Sequence, residues 1–459
     1  MDDCNVDIVH VQTITYKDDV VDDVIDKDEC LDQSEDELDR LINESIEPVN
    51  NQLEEWQVLT HIFKSFVGTG ILGLPSAVMH GGIVLGPLIL VGLGAICMYN
   101  IKLLVDTARN MRHNLNISRI SYSSISENVF QAYGKRAGTV ARYLTDFLLC
   151  SLQIGFCCVY VVFIAHNIQF AVGSLDVRIW MLVILPFLIV PSLISNIRTL
   201  AYLTTIGNVI VLVGLGTIYQ YLLTHVQSPS RLPATNGVLN ACVAFGQIVY
   251  AFEGVAVILP TEEKLKSRGS FDWLFKVSGC LVILLYASMG IFGYLTFGQE
   301  TLGSITLNLP NTAVYQTLQG AFCLMVFFTY PLQLFVSVDI IKSYFPPSKS
   351  TDTESFLDDA LLKSLLVFLT CVLGICIPQL DNFMSLVGSV CGVSVGLILP
   401  PIIHAQCFWN QGLTPRQFVL DIFILAIGVF TFVTGFTSSM YAIFHRFVEY
   451  PGHTTGPIV

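Results

Sequence analysis

Two stretches of this chain place residues that could do chemistry within otherwise apolar surroundings. The first, "THIFKSFVGTGILGLP" at 60–75, spells G-x-G-x-x-G with Gly68, Gly70 and Gly73, and carries His61 upstream of them. The second, "AFEGVAVILPTEEKLK" at 251–266, sets Glu253-Gly254 inside an apolar run. A dinucleotide turn needs a preceding strand and an acidic residue about 20 positions on to hold the ribose. No Asp or Glu occurs between Gly73 and Asp106, and Pro75 stands where the phosphate-binding helix should run. A nucleotide site is therefore excluded. As an interrupted helix the same residues make physical sense. A glycine inside a helix costs about 1 kcal/mol relative to alanine, and a proline removes an i→i−4 hydrogen bond. In lipid, backbone freed in this way must find partners in protein, water or a ligand, and broken transporter helices use it to hold charged substrates. A half-helix starting near Ile71 would point its N-terminal amides at the gap, which suits a carboxylate. The plainer alternative is that these glycines only permit close helix packing. Gly388, Gly392 and Gly396, spaced by four with no proline among them, fit that plainer pattern.

Glu253 is the natural partner of this break. An acid within a span is costly and marks a functional site by default, although a structural ion pair, for instance with Lys64, is the competing explanation. His61 lies about two turns before Gly68 on the same helix face, with Lys64 and Ser65 at i+3 and i+4. Histidine changes charge near neutral pH and suits proton coupling, or else sits as an interfacial residue near the membrane rim. Lys102, Asp106, Lys276 and Asp339 lie near the ends of spans, where long charged side chains snorkel or face water.

The elements that must position these residues are membrane helices. The chain has 459 residues, 53% hydrophobic and 13% charged, against roughly 25% charged in soluble domains. Apolar runs recur near the ~20 residues that a spanning helix needs. Eleven spans are predicted, at 58–80, 82–107, 139–171, 179–196, 199–224, 237–260, 272–297, 313–340, 360–378, 382–403 and 417–443. The connections this places inside carry twelve Lys+Arg and the outer ones three, Arg178, Arg231 and Arg446. Positive charge in short loops stays on the cytosolic side, so the N-terminus is expected inside and the C-terminus outside. The first and sixth spans are five apart, as two inverted halves of five helices require.

Outside the spans lie an acidic tail at 1–52 and a short extracytosolic tail at 446–459. Residues 1–55 hold 19 Asp+Glu against 3 Lys+Arg, so the net charge of −13 belongs to that tail, a composition that favours disorder. Within it Glu37-Leu-Asp-Arg-Leu41-Ile42 fits an acidic dileucine pattern of the kind read by sorting adaptors, and short tails of this composition produce such matches by chance. No cleavable signal is visible. The sequons at Asn43 and Asn116 lie on the expected cytosolic side. Most of the 13 cysteines fall within apolar spans, where they act as small hydrophobes, and no structural disulfide is expected. No Walker A sequence, zinc-ligand cluster or nucleophile elbow occurs, so neither an enzyme nor a nucleic-acid binder is expected.

The stretches "WQVLTHIFKSFVGTGILGLPSAVMHGGIVLGP" (56–87) and "AFEGVAVILPTEEKLK" resemble the patterns of the amino acid/auxin permease family, within its proton-coupled amino acid transporter branch. The resemblance covers roughly 53–445. It implies an all-α polytopic membrane protein of eleven helices, a LeuT-like five-plus-five inverted repeat with helices 1 and 6 broken, and symport of small amino acids with H+ as the only coupling partner. By resemblance His61 falls on the proton-coupling position. Gly68-Thr69-Gly70 and Phe252-Glu253-Gly254 fall on the unwound substrate-binding segments. The sequence departs at Ser65 and Phe66, where the branch usually has Gly-Asn, and it lacks the luminal cysteines of vertebrate-type members in 172–178 and 298–312. The expected function is H+-coupled uptake of small neutral amino acids toward the cytosol. Thr69 and nearby amides would hold the carboxylate, and Tyr250 and Phe252 would shape the side-chain pocket. Glu253 would fix the amino group or join the proton path. A transport-weak amino acid receptor signalling through its tail is the alternative. The dileucine pattern favours late endosomal or lysosomal membrane over plasma membrane.

Overall fold

Hydrocarbon offers the backbone no hydrogen bonds, so a membrane chain must satisfy its own, and helices do so within one segment. The computed structural model describes residues 54–173, 175–194, 196–229, 232–265, 268–345, 352–409 and 411–449, and these are overwhelmingly helical. The tail with Glu37, Leu41 and Ile42, and the stretch from 450 onward, lie outside the described residues. The helices in chain order are α1 (Glu55–Phe66), α2 (Thr69–Gly81), α3 (Leu85–Leu115), α4 (Tyr122–Phe130), α5 (Lys135–Val172), α6 (Val177–Ser192), α7 (Ile197–Thr224) and α8 (Val238–Ala251). They continue with α9 (Val255–Glu263), α10 (Phe271–Phe297), α11 (Ala313–Tyr344), α12 (Asp352–Cys376), α13 (Leu380–Val387), α14 (Leu399–Phe408) and α15 (Pro415–Glu449).

Each predicted span coincides with helix, but the spans are not all alike. Among the described residues eight helices are long and apolar enough to cross a bilayer, nine when the pair α1–α2, bent by 52°, is counted as one span. The two shortfalls from the expected eleven have physical causes. Helix α6 has 16 residues with Pro186 and Pro191 inside it, a length of about 24 Å against the ~30 Å core. Helix α8 has 14 residues because the chain breaks after Ala251. The stretch 108–138, expected as a loop, is largely helical instead: α3 runs on to Leu115 and α4 stands within it.

Between α13 and α14 the backbone widens into two π turns, Gly388–Gly392 and Ser394–Ile398. Shifting to i→i+5 bonding leaves carbonyls short of partners. The buried Asn100 side chain of α3 donates to the Gly396 carbonyl at 2.8 Å, and the Tyr122 hydroxyl of α4 donates to the Val395 carbonyl at 2.8 Å.

Close approach at glycine sets how the central helices stack. A methyl group on Gly70 would sit 2.8 Å from the Ala251 α-carbon, so α2 lies directly on the end of α8. A Cβ on Gly246 would overlap the Ser385 carbonyl, and one on Gly388 would overlap the Gly246 carbonyl. The glycines at 388 and 392 therefore do face α8, as their spacing suggested, with Gly392 against Val249. Overpacking such a contact costs about 1–3 kcal/mol. Gly246→Ala is expected to lower the melting temperature of the detergent-solubilised protein, whereas Gly216→Ala, which meets nothing within 4 Å, should leave it unchanged or higher. Equal melting of the two variants would contradict this packing.

Candidate functional site

The helix opens where the sequence analysis placed the break, but two residues earlier than Ile71. Helix α1 ends at Phe66, Val67 is extended, and α2 starts at Thr69 after Gly68. In the sixth span α8 ends at Ala251, Phe252–Gly254 are non-helical, and α9 starts at Val255. The two breaks touch: a Cβ on Gly254 would sit 2.7 Å from the Phe66 ring. Each break exposes a carbonyl end and an amide end in the bundle's interior. Partial negative charge gathers at the ends of α1 and α8, and partial positive charge at the starts of α2 and α9.

One side chain serves both carbonyl ends. The Tyr286 hydroxyl of α10 bonds the Phe66 carbonyl and lies 3.1 Å from the Ala251 carbonyl. A phenol has one proton, so it serves the two carbonyls in turn and leaves acceptor capacity on both. Phe252, fully buried, sets its ring at a tilt with its centre 4.8 Å from that of Tyr286, and its far edge fills the space that Gly94 leaves on α3. Phe252 thus wedges the break rather than projecting beyond it.

At the amide ends, the Glu253 carboxylate accepts from the Val255 amide at 3.2 Å and caps α9. Its other oxygen faces Gly396 of the π segment, with Cys97 and Tyr122 as neighbours. The ion pair with Lys64 that competed with a functional role does not form. Thr69 is buried at the start of α2, with Tyr160 of α5 and Tyr250 of α8 as polar neighbours. The Tyr250 hydroxyl is buried and completes no hydrogen bond, its ring 4.7 Å from that of Phe156. Beside Gly68 the space is open, with nothing within 4 Å of where a side chain would begin. Free amides, an unpartnered hydroxyl and open space therefore lie around one helix break.

His61 stands apart from this group. It is exposed on α1, about 10 Å of helical rise before Gly68, beside the ammonium groups of Lys64 and Lys264. The charged residues at this end are not simply snorkelling. Lys102 pairs with Asp106 and lies 3.0 Å from Asp272. Arg109 binds Glu262 at 2.8 Å and Asp272 at 2.9 Å, while Arg112 pairs with Glu262 and binds Glu263 at 2.9 Å. Arg112 and Glu262 are 4% and 1% exposed, so this cluster is a buried fastening of α9 to α3 and α10. Tyr286, Tyr160 and this cluster were missed in the sequence. Tyrosine in an apolar helix gives no signal, while the doublet Glu262-Glu263 facing Arg109 and Arg112 was visible as opposite charge.

A helical bundle with two interrupted spans meeting at their breaks is the arrangement of secondary transporters. Two solved structures share the fold. MHP1, a nucleobase-cation-symport-1 family transporter in a closed conformation with bromovinylhydantoin bound, superposes with a TM-score of 0.51 at 12% identity, covering 89% of this chain and 95% of that one. A Na+-coupled sialic acid symporter in a substrate-bound outward-open state gives 0.52 at 12% identity, covering 89% and 92%. The fold is all-α and LeuT-like. The family model described as transmembrane amino acid transporter protein matches residues 52–443, and the chain belongs to that family, the amino acid/auxin permeases. Amino acid transporter AVT3B of Arabidopsis thaliana is 28% identical over 409 residues, 85% of this chain and 94% of that protein. Proton-coupled amino acid transporter-like protein pathetic of Drosophila melanogaster is 29% identical over 380 residues, 79% of each. The protein is a multi-pass membrane protein of an amino acid transporter family, not an enzyme.

Tyr286→Phe keeps the ring against Phe252 and removes the donor that the Phe66 and Ala251 carbonyls share. Leaving buried acceptors without a partner costs about 1–3 kcal/mol. The variant is expected to melt at lower temperature in detergent than the wild type. An unchanged melting curve would show that other groups satisfy these carbonyls.

Proposed function

We propose that the protein carries small neutral amino acids with protons toward the cytosol by alternating access around the two helix breaks. The observation that carries this is the convergence of opposite helix ends on open space beside Gly68. A zwitterion needs both kinds of end. Its carboxylate meets the amides at the start of α2, with the Thr69 hydroxyl at hand. Its ammonium meets the acceptor capacity that Tyr286 leaves on the carbonyls of Phe66 and Ala251. Tyr250, whose hydroxyl is unpartnered, and Tyr160 orient the bound molecule. Glu253, capping α9 and facing Gly396, ties the state of the sixth-span break to the π segment. His61 is proposed as a proton-coupling residue at the Lys64 end, where the resemblance places that role. The name of the Drosophila relative as proton-coupled supports the choice of ion.

In this proposal the sixth span crosses as two half-helices and α6 crosses as a short one, which restores eleven spans. The N-terminus lies in the cytosol and the C-terminus in the lumen, following the positive charge of the loops. A transport-weak receptor that signals through the acidic tail is the second reading, supported by the 17 acidic residues in 1–52. Robust counterflow by protein lacking residues 1–52 counts against it.

Uptake of radiolabelled amino acids into proteoliposomes with an imposed ΔpH is expected to be saturable and to fall when the gradient is collapsed. Gly68→Leu, whose β-carbon would meet nothing within 4 Å, is expected to abolish uptake while leaving the melting temperature within a few degrees. Uptake indifferent to the gradient removes the proton, and full uptake by Gly68→Leu moves the substrate elsewhere.

We also propose late endosomal or lysosomal residence directed by Glu37, Leu41 and Ile42 through a sorting adaptor. Replacing Leu41 and Ile42 with Ala is expected to shift the protein to the cell surface by microscopy. An unchanged distribution removes the motif.

A further inference from the structure

The stretch joining α3 to α5 belongs to neither spanning helix. It leaves α3 at Asn116, whose left-handed backbone (φ 54°) ends that helix, and enters α5 at Gly134 (φ 120°). Between them Ser121 caps α4, its hydroxyl accepting from the Ser124 amide at 3.2 Å, and Tyr122, Ile125 and Val129 are buried. One side of this strap is seated on α5. A Cβ on Gly138 would fall 2.8 Å from the Glu127 carbonyl, and Arg142 binds the Glu127 carboxylate at 3.2 Å. The other side reaches three parts of the bundle. The Ile120 amide donates to the Glu263 carboxylate at 3.2 Å, at the end of α9. The Tyr122 hydroxyl donates to the Val395 carbonyl at 2.8 Å, in the π segment. The Tyr133 hydroxyl donates to the Gln406 side-chain oxygen at 2.6 Å, on α14.

Of these contacts the one from Tyr122 lies deepest: Tyr122 is 5% exposed and Tyr133 is 68% exposed. Its acceptor, Val395, precedes Gly396, the residue that the Glu253 carboxylate faces. Asn100 of α3 donates to the Gly396 carbonyl at 2.8 Å. Two successive carbonyls of the π turn are therefore held from outside it, one from α3 and one from the strap. Glu253, which caps α9, lies against the turn they hold.

We propose that Tyr122 is a positioning residue for transport, whose hydroxyl holds the π turn against Glu253 and so keeps the Arg112 end of the bundle shut. A π turn has a tighter alternative, the α turn, in which the same carbonyls are met by amides of their own helix. Tyr122 stabilises the wide form because its donor is useful only while the Val395 carbonyl points out of the helix. Removing that donor weights the other form, and a shift between two arrangements needs no more than such a difference in bonding. The strap joins this turn to α9 through Ile120 and Glu263, and to α5 through Glu127. Opening this end for release of substrate therefore requires the strap to give up its contacts with both the turn and α9.

The role in release rests on the transport reading of the preceding section, and the experiment separates the two. Cys97 reports on the region behind the strap. It lies on α3 three residues from Gly94, which meets Phe252, and three from Asn100, neighbours Glu253, and is 4% exposed. Cys242, 5% exposed on α8, is the reference. The full-length protein in detergent is treated with N-ethylmaleimide, and modification of each thiol is followed by mass spectrometry. Tyr122→Phe keeps the ring and removes the donor. It is expected to raise the ratio of the Cys97 rate to the Cys242 rate by roughly fivefold or more, the factor that one lost buried hydrogen bond makes in an opening equilibrium. A general loosening raises both rates and leaves the ratio unchanged, and an unchanged ratio overturns the proposal. Should Tyr122→Phe fail to assemble, Tyr133→Phe decides by the same ratio, which is expected to rise and overturns the strap if it does not. In proteoliposomes Tyr122→Phe is expected to shift the half-saturating concentration of alanine by roughly threefold or more, as a change in the competent population does. An unshifted value overturns its role in transport. No uptake by the wild type, with the ratio raised in Tyr122→Phe, overturns the transport reading and keeps the strap.

Discussion

The structure depends on one constraint: backbone opened inside a bilayer must be satisfied from within the protein. Three interruptions test it, at 67–68, at 252–254 and along 388–398. Each is met by a side chain borrowed from a different helix or from the break itself. Tyr286 serves the carbonyl ends of the first two, Glu253 caps the amide end of the second, and Asn100 and Tyr122 serve the π segment. These loans make the three interruptions one unit. Moving any helix that lends a donor exposes an acceptor elsewhere, at about 1–3 kcal/mol for each group left without a partner.

The glycines give this unit its dimensions. Gly70 on Ala251, Gly246 on Ser385 and Gly388 on Gly246 bring three backbones nearer than any side chain allows. At such separations dispersion between backbones replaces the hydrophobic drive that lipid cannot supply. The same contacts explain why a glycine-spaced face could be read two ways. Gly388 and Gly392 serve packing alone, but Gly396, one step further along that face, leaves the room into which Glu253 turns. Packing and function share one periodic stripe, and only the identity of the facing residue separates them.

That division marks what was legible in the sequence. Helices announce themselves by apolar length, and breaks by glycine and proline in places where a helix should be strongest, so α1–α2 and the sixth span stood out. An intramembrane acid such as Glu253 stands out by its cost. The partners did not. Tyr286 and Tyr160 are ordinary residues for an apolar helix, and only three-dimensional placement gives their hydroxyls work. Lys102 and Asp106 were read one at a time as end-of-span charges, whereas their neighbours in space, Asp272, Arg109 and Glu262, come from three helices. His80 passed unnoticed because its carboxylate lies some 300 residues away. The receptor alternative and the sorting motif rest on the tail, which lies outside the described residues.

The two ends of the bundle are fastened by different chemistry. At one end Arg112 and Glu262 are nearly inaccessible to water, and guanidinium keeps its charge at any physiological pH. Breaking such a pair by removing one partner costs about 3–5 kcal/mol, because a buried charge is left alone. Asp272 and Glu263 already share the arginines, so that end is held by a network rather than by a single pair. At the other end His80 of α2 lies 3.6 Å from Asp381 of α13, and both side chains are partly exposed. One end is held by a network of buried charges and the other by a contact partly open to water, so the two ends resist separation unequally.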